Sequence, residues 1–284
     1  MKLSIILATA NGSSIIGDTL KSISGIICRA NDSVQLIVVD QSFDDKTYNV
    51  LKEFNNKIDF LYIHSLKKGL SYSRNLGLDL ADGDVICFGD DDCLYENELL
   101  SKLDKIFSSG NYELVSAGVY VPSSNNLTSY SKYNVPASLT RYNLLGRVTS
   151  IGIFIKAAPF LENNIKFNEQ LGLGATYGSC EEIELVYRLL ELNFRSFYDP
   201  RIRVFHENPY GYNQNKTFQY SLGHGALTRI LISKFKFSYS YLAFLKITKT
   251  FLRFPAQLFV KKNLYPRSYF LGFFSGLFRI KKSK

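Results

Sequence analysis

Acidic residues are missing from the last quarter of this chain: from Lys216 to Lys284 there are 14 Lys or Arg and no Asp or Glu. Of the 34 Lys or Arg and 25 Asp or Glu in all 284 residues, 20 and 25 therefore precede it, so the net +9 is an acidic body of net −5 joined to a basic tail. An acidic body suits a cation-dependent site, and a basic tail suits a polyanionic surface. Cysteine is scarce as well. Cys28, Cys87, Cys93 and Cys180 form no Cys-x-x-Cys pair, which excludes a thiolate metal site and predicts free thiols in a reducing compartment. In such a compartment the sequon Asn126-Leu127-Thr128 carries no glycan. No apolar run reaches the about 20 residues of a membrane-spanning helix. Internal repeats, low-complexity tracts and GxGxxG or Walker loops are also lacking. Lys2 followed by Leu3 to Ala10 imitates a signal peptide, but one lysine and a short apolar run fit a buried first strand better.

What is present is an alternation of two periodicities. Leu3 to Ala8 and Val34 to Val39 are β-branched apolar runs, separated by helical spacing at Ile16, Leu20, Ile23 and Ile27. The pattern repeats with a helix over 47–54, a strand over 60–63, a helix over 71–80 and a strand over 85–88. Strand and helix in alternation predict an α/β fold, with a mostly parallel sheet covered on both faces. Beyond it we expect a helix over 96–107, strands near 114–121 and 151–156, and a loop-rich stretch over 122–142. A Gly-rich loop over 171–178, a helix over 181–194 and a strand led by Arg201 follow. The chain thus divides into a body over 1–215, with halves 1–95 and 96–215, and a helical tail over 216–284. Ligands of such sheets gather beyond the carboxyl ends of the strands. Thr9-Ala10-Asn11-Gly12, Asp40-Gln41-Ser42 and Asp90-Asp91-Asp92 all fall there.

Three adjacent carboxylates repel one another unless a cation or a partner holds them ionised. On an extended backbone Asp90 and Asp92 share a face and converge on one divalent ion while Asp91 points elsewhere. A solvated acidic turn before the next helix is the competing reading.

The opening Ser-Ile-Ile-Leu-Ala-Thr-Ala-Asn, the stretch Val-Val-Asp-Gln-Ser-Phe-Asp-Asp at 38–45, and Gly69-Leu-Ser-Tyr-Ser-Arg74-Asn75-Leu-Gly77 leading into Asp82-Gly83-Asp84 resemble the family 2 glycosyltransferases. The resemblance covers about residues 1–210 and implies the GT-A fold. It implies that Asp90 and Asp92 carry the family's DxD motif. Asp92 would be the direct ligand of Mn²⁺ or Mg²⁺, with Asp90 or Asp91 on the donor sugar or ribose. Arg74 would meet the diphosphate, against the alternative of an ordinary surface arginine. Thr9, Asn11, Asp40 and Gln41 would form the nucleotide-base pocket. Gln41 departs from the family's commoner second acid, which leaves UDP as the leading donor nucleotide with dTDP and GDP open. Glu182 stands where the family has its general base for an inverting transfer. Ser179-x-x-Glu182 also reads as a helix capping box, a competing role. His206 matches a late histidine that completes the metal or diphosphate site, or else it is structural. His64 and His224 gain no such support, and Gly223-His224-Gly225 reads as a turn.

In the tail, 240–254 has Lys246, Lys249 and Arg253 on one side and an apolar opposite face, the pattern of an amphipathic helix. With the aromatic run over 269–278 it suits an anionic membrane surface. Packing on the body, or a homodimer through the tail, competes with this reading. The implied partners are a nucleotide-sugar donor and a glycan or lipid-linked glycan acceptor, met by a cytoplasmic enzyme peripheral on the inner face of the cell membrane. No nucleic acid is expected, although a tail that grips phosphates and bases is the alternative function. A nucleotidyltransferase is a further alternative, but Asn11-Gly12-Ser13-Ser14 lacks the cation its phosphate loop would need. A processive synthase is disfavoured, since its QxxRW motif needs a tryptophan and the chain has none.

Overall fold

The structure is a computed structural model and describes residues 1–27, 34–207, 214–234 and 265–278. It divides into one unit of Met1–Phe167 with Leu185–Asn208, and another of Asn168–Glu184 with Pro209–Lys284. The sequence reading kept 168–184 within the body.

In the first unit the apolar runs become strands of a nine-stranded sheet. Strands β1 (Leu3–Thr9), β2 (Val34–Asp40), β3 (Phe60–His64) and β4 (Val85–Asp90) form its first half. β1 lies between β2 and β4, β3 lies outside β2, and all of these pairings are parallel. Every residue of β1 is buried, as expected when helices cover both faces. Those helices are α1 (Ile16–Ile27), α2 (Lys46–Lys52) and α3 (Leu70–Leu78). Ile16, Leu20 and Ile23 of α1 are fully buried against the sheet.

The second half is mixed. After β5 (Leu94–Tyr95), α4 (Leu99–Ser108), β6 (Leu114–Tyr120) and β7 (Ala137–Ser138) come β8 (Ile153–Lys156), α5 (Ala157–Glu162), α6 (Glu181–Glu191) and β9 (Ser196–Phe205). β8 runs antiparallel to both β4 and β6, whereas β6 and β9 are parallel. The β6–β9 register shifts between Ala117, opposite Asp199, and Gly118, opposite Arg203. Pro200 has no N–H for the ladder, so the strand bulges there. Cys87, Cys93 and Cys180 are buried free thiols; Cys28 lies outside the described residues.

In the second unit, α7 (Gln214–Lys234) and α8 (Tyr265–Phe278) pack closely. A Cβ on Gly225 would overlap the Phe273 carbonyl, and one on Gly276 would overlap the Leu222 carbonyl. Gly223, His224 and Gly225 therefore lie inside a helix. The expected turn is wrong: glycine's low helix propensity suggested it, while the close crossing of α7 and α8 needs a small residue at Gly225. The helix expected over 240–254 lies outside the described residues.

Candidate active site

Strand register brings the first polar groups together. Thr9 pairs with Asp40 and Ala8 with Asp90, so three carboxyl ends share one edge of the sheet. The carboxylate triplet then departs from the expected alternation. β4 ends at Asp90 and the chain turns, with the Asp90 carbonyl accepting from Cys93 N–H at 3.4 Å and from the Cys93 thiol at 3.1 Å. Burial pushes that thiol up to about 12, keeping it a donor.

Because the backbone turns, the three side chains diverge. Asp90 Oδ1 accepts from Arg74 at 3.0 Å. Arg74 is fully buried, with its guanidinium 5.9 Å from the Phe88 ring centre and 5.4 Å from that of Phe167. This is a held ion pair, and it rules out an ordinary surface arginine. Asp91 turns inward and accepts from Thr9 Oγ1 at 2.6 Å, while its carbonyl accepts from Thr19 Oγ1 at 2.8 Å. Burial, joined by the charges of Asp92 and Asp90 and opposed by the Thr9 hydrogen bond, raises the Asp91 carboxyl to about 6. Asp92 points outward, 45% exposed, with Oδ1 3.2 Å from His206 Nε2. Burial opposes a charge on His206, but the hydrogen bond and charge of Asp92, the Glu207 carbonyl and the charge of Asp90 together outweigh it, and the imidazole pKa is raised. Of the expected ligand set of Asp92, Asp90 and His206, the structure brings Asp92 and His206 together and pairs Asp90 with Arg74. Among the described residues no group of three or more His, Cys, Asp or Glu side chains gathers as if around a metal ion.

Of the expected base pocket, Asp40 and Gln41 carry hydrogen bonds within the fold. Asp40 is fully buried, and Oδ1 accepts from Ser42 N–H at 2.8 Å while Oδ2 accepts from Tyr62 at 3.0 Å. Burial and this carboxylate together push the Tyr62 phenol well above its ordinary range. The Gln41 carboxamide donates to the Lys67 carbonyl and to Gly69 O at 3.4 Å, and accepts from Gly69 N–H at 3.3 Å. Both side chains brace the turn after β2 instead of facing an open edge, because a buried carboxylate or amide must find partners within the fold. Asn11 remains exposed, and its N–H donates to Ser42 Oγ at 2.8 Å. His64 joins the same turn through Ser42 O at 2.9 Å.

Sequence reasoning missed Gly12. A Cβ there would overlap the Asp91 carboxylate and the Thr9 hydroxyl, with Asp91 Cγ at 2.7 Å. Its place beside Asn11 in a strand-end loop was the only available signal. Gly12→Ala should therefore break the Thr9–Asp91 hydrogen bond and lower fold stability by about 1–3 kcal/mol, the usual cost of overpacking. Urea denaturation checks this, and unchanged stability would refute the assigned crowding.

Glu182 belongs to the second unit, on the first turn of α6. Cys180 has φ of 72°, a left-handed conformation that keeps it out of the helix. Ser179 is then two residues before the first helical position, and its hydroxyl donates to Tyr220 O at 2.8 Å. The capping box is therefore not formed. Glu181 and Glu184 are buried, and Glu182 is half-buried. Three acids in this first turn also complement the positive end of the helix dipole.

Comparisons with known proteins agree with this architecture. Residues 4–168 match the family model described as glycosyl transferase family 2. The GalNAc(5)-diNAcBac-PP-undecaprenol beta-1,3-glucosyltransferase of Campylobacter jejuni is 26% identical over 251 residues, covering 84% of this chain and 76% of that protein. Alignments to other curated relatives span only 23%, 26% and 35% of their lengths. Among solved structures, Staphylococcus aureus TarS 1-349 in complex with UDP-GlcNAc superposes with a TM-score of 0.64 at 17% identity, covering 85% of this chain and 69% of that one. Mannosyltransferase PcManGT from Pyrobaculum calidifontis, in complex with GDP-Man and Mn2+, gives 0.67 at 14% identity, covering 98% and 88%. These likenesses establish the GT-A fold. With more than half of its length matched by the family model, the chain belongs to glycosyl transferase family 2.

Proposed function

We propose that this chain is a metal-dependent inverting glycosyltransferase. It moves a sugar from a nucleotide-diphosphate sugar, with UDP the leading nucleotide, to a hydroxyl of a lipid-linked or growing glycan. The observation that carries the reading is the Asp92–His206 pair at the carboxyl edge of the sheet, beside the Thr9–Asp91 contact. Adjacent ligands of an octahedral ion with bonds of about 2.1 Å lie about 3.0 Å apart, and the 3.2 Å between Asp92 Oδ1 and His206 Nε2 fits that spacing. A hard oxygen with an imidazole nitrogen suits Mn²⁺, and Mg²⁺ less well. When bound, the ion would act as a Lewis acid toward the departing diphosphate.

The chain's own groups supply the rest. Arg74 holds Asp90 in place, and Thr9 holds Asp91. Glu182, as general base, accepts the proton of the acceptor hydroxyl while that oxygen forms its bond to the anomeric carbon. The bond from that carbon to the diphosphate oxygen breaks on the opposite face, which inverts the centre. TarS has been solved with UDP-GlcNAc and the Campylobacter relative is named for a lipid-linked substrate, which supports a UDP-sugar and such an acceptor here.

Membrane association through the tail, on the cytoplasmic side, is part of the same reading. No helix among the described residues is long and apolar enough to cross a membrane. On α8, Phe270 meets Phe274 at a tilt and Phe274 stacks on Phe278, and Leu271 and Phe278 are exposed. Exposed Leu271 and Phe278, in a tail rich in Lys and Arg, suit insertion at an anionic headgroup layer.

A panel of UDP-, dTDP- and GDP-sugars, scored for binding and slow hydrolysis with Mn²⁺ and with chelator, tests the proposal. Retention and hydrolysis of a UDP-sugar only with the cation is the expected result. If no nucleotide sugar binds in either condition, the proposal fails. Co-flotation with phosphatidylglycerol vesicles, absent with phosphatidylcholine, is expected for the tail.

A further inference from the structure

His206 lies one residue beyond β9, and its backbone N–H donates to Tyr120 O at 2.9 Å, adding a rung to the β6–β9 pairing. Its ring is gripped on the Nδ1 side. Nδ1 lies 2.5 Å from the Glu207 carbonyl, which can only accept, so Nδ1 carries a proton and Nε2 faces Asp92. The Tyr130 hydroxyl lies 2.9 Å from the same Nδ1, and the two rings meet edge-on with centroids 6.1 Å apart.

Tyr130 is itself held by a pinned turn. Thr128 donates from both N–H and Oγ1 to Val119 O, at 2.9 and 3.1 Å. Val119 N–H donates to Ser131 Oγ at 3.2 Å, and Ser131 N–H donates to Thr128 O at 3.1 Å. Thr128 and Ser131 are both buried. The two hydroxyl residues thus satisfy both backbone groups of Val119, and Tyr130, beside Ser131 in this turn, is held with them.

We propose that Tyr130 is a positioning residue: presented by the Thr128–Ser131 turn, it fixes the His206 imidazole with Nε2 toward Asp92 and so sets the cation affinity of that pair. The inference rests on reading Asp92 and His206 as cation ligands. It assigns a function to part of the loop-rich stretch after β6. Partners behind a metal ligand fix its orientation, and their loss typically weakens metal binding about 10–100-fold.

The test titrates Mn²⁺ into the full chain, alone and with UDP, following the paramagnetic resonance signal of free Mn²⁺. Tyr130→Phe keeps the ring and removes only the hydroxyl. About tenfold weaker Mn²⁺ binding is expected for Tyr130→Phe, with no further loss when it is added to His206→Ala. Unchanged affinity, or an equal loss in the His206→Ala background, would overturn the proposal. A second readout needs no metal: the Nδ1–H proton of His206 should exchange slowly in the wild type and rapidly in Tyr130→Phe. Should the wild type bind no Mn²⁺ in either condition, the ligand reading falls. The proton exchange then decides the Tyr130 assignment alone, and slow exchange persisting in Tyr130→Phe overturns it.

Discussion

Asp92→Asn is expected to lower cation-dependent turnover of the nucleotide sugar by about 10³-fold, while the melting temperature stays within a few degrees of wild type. Lewis-acid stabilisation of a leaving group contributes several kcal/mol, and about 4 kcal/mol corresponds to that factor. The fold should tolerate the change because Asp92 is 45% exposed and its carboxylate reaches outward to His206. Asparagine keeps the size but loses the charge that a hard cation needs. Turnover measured against Mn²⁺ concentration checks this. A variant still stimulated by the cation at the wild-type level would remove Asp92 from the site.

Glu182→Gln has the second large expected effect, a loss of about 10²–10⁴-fold in transfer to the acceptor, the usual range for a general base. Donor affinity should be unchanged, because the substitution removes basicity and preserves shape. A capping role would have left this variant stable and active, but Cys180 at φ of 72° separates Ser179 from the helix. Transfer rate and UDP affinity, measured on the same preparation, separate the outcomes. Near-wild-type transfer would end the assignment of Glu182.

Much of the first half of the fold was legible because burial on both faces demands continuous apolar strands, and Leu3–Thr9 and Val85–Asp90 are such runs. The second half was not, since the β6–β9 pairing depends on a bulge at Pro200 that no local periodicity announces. Within the site, the three clusters at the sheet edge followed from topology. The directions of individual carboxylates did not. Period-two alternation fails where β4 ends and the chain turns at Asp90, and the commitments of Asp40 to Tyr62 and of Gln41 to Gly69 join residues more than twenty apart. Tyr130 reaches His206 across a still longer separation, beyond what any short motif records.

The divergence of Asp90, Asp91 and Asp92 toward Arg74, Thr9 and His206 has a consequence for the protein between catalytic cycles. Each negative charge already has its own neighbour, so their mutual repulsion is moderated before any cation arrives. Folding and loading are then separable events. On the proposed metal-dependent reading, a protein starved of its cation stays intact and idle, and regains function on resupply without passing again through synthesis. A melting temperature that barely changes in chelator, alongside activity that returns when Mn²⁺ is added back, is the corresponding signature.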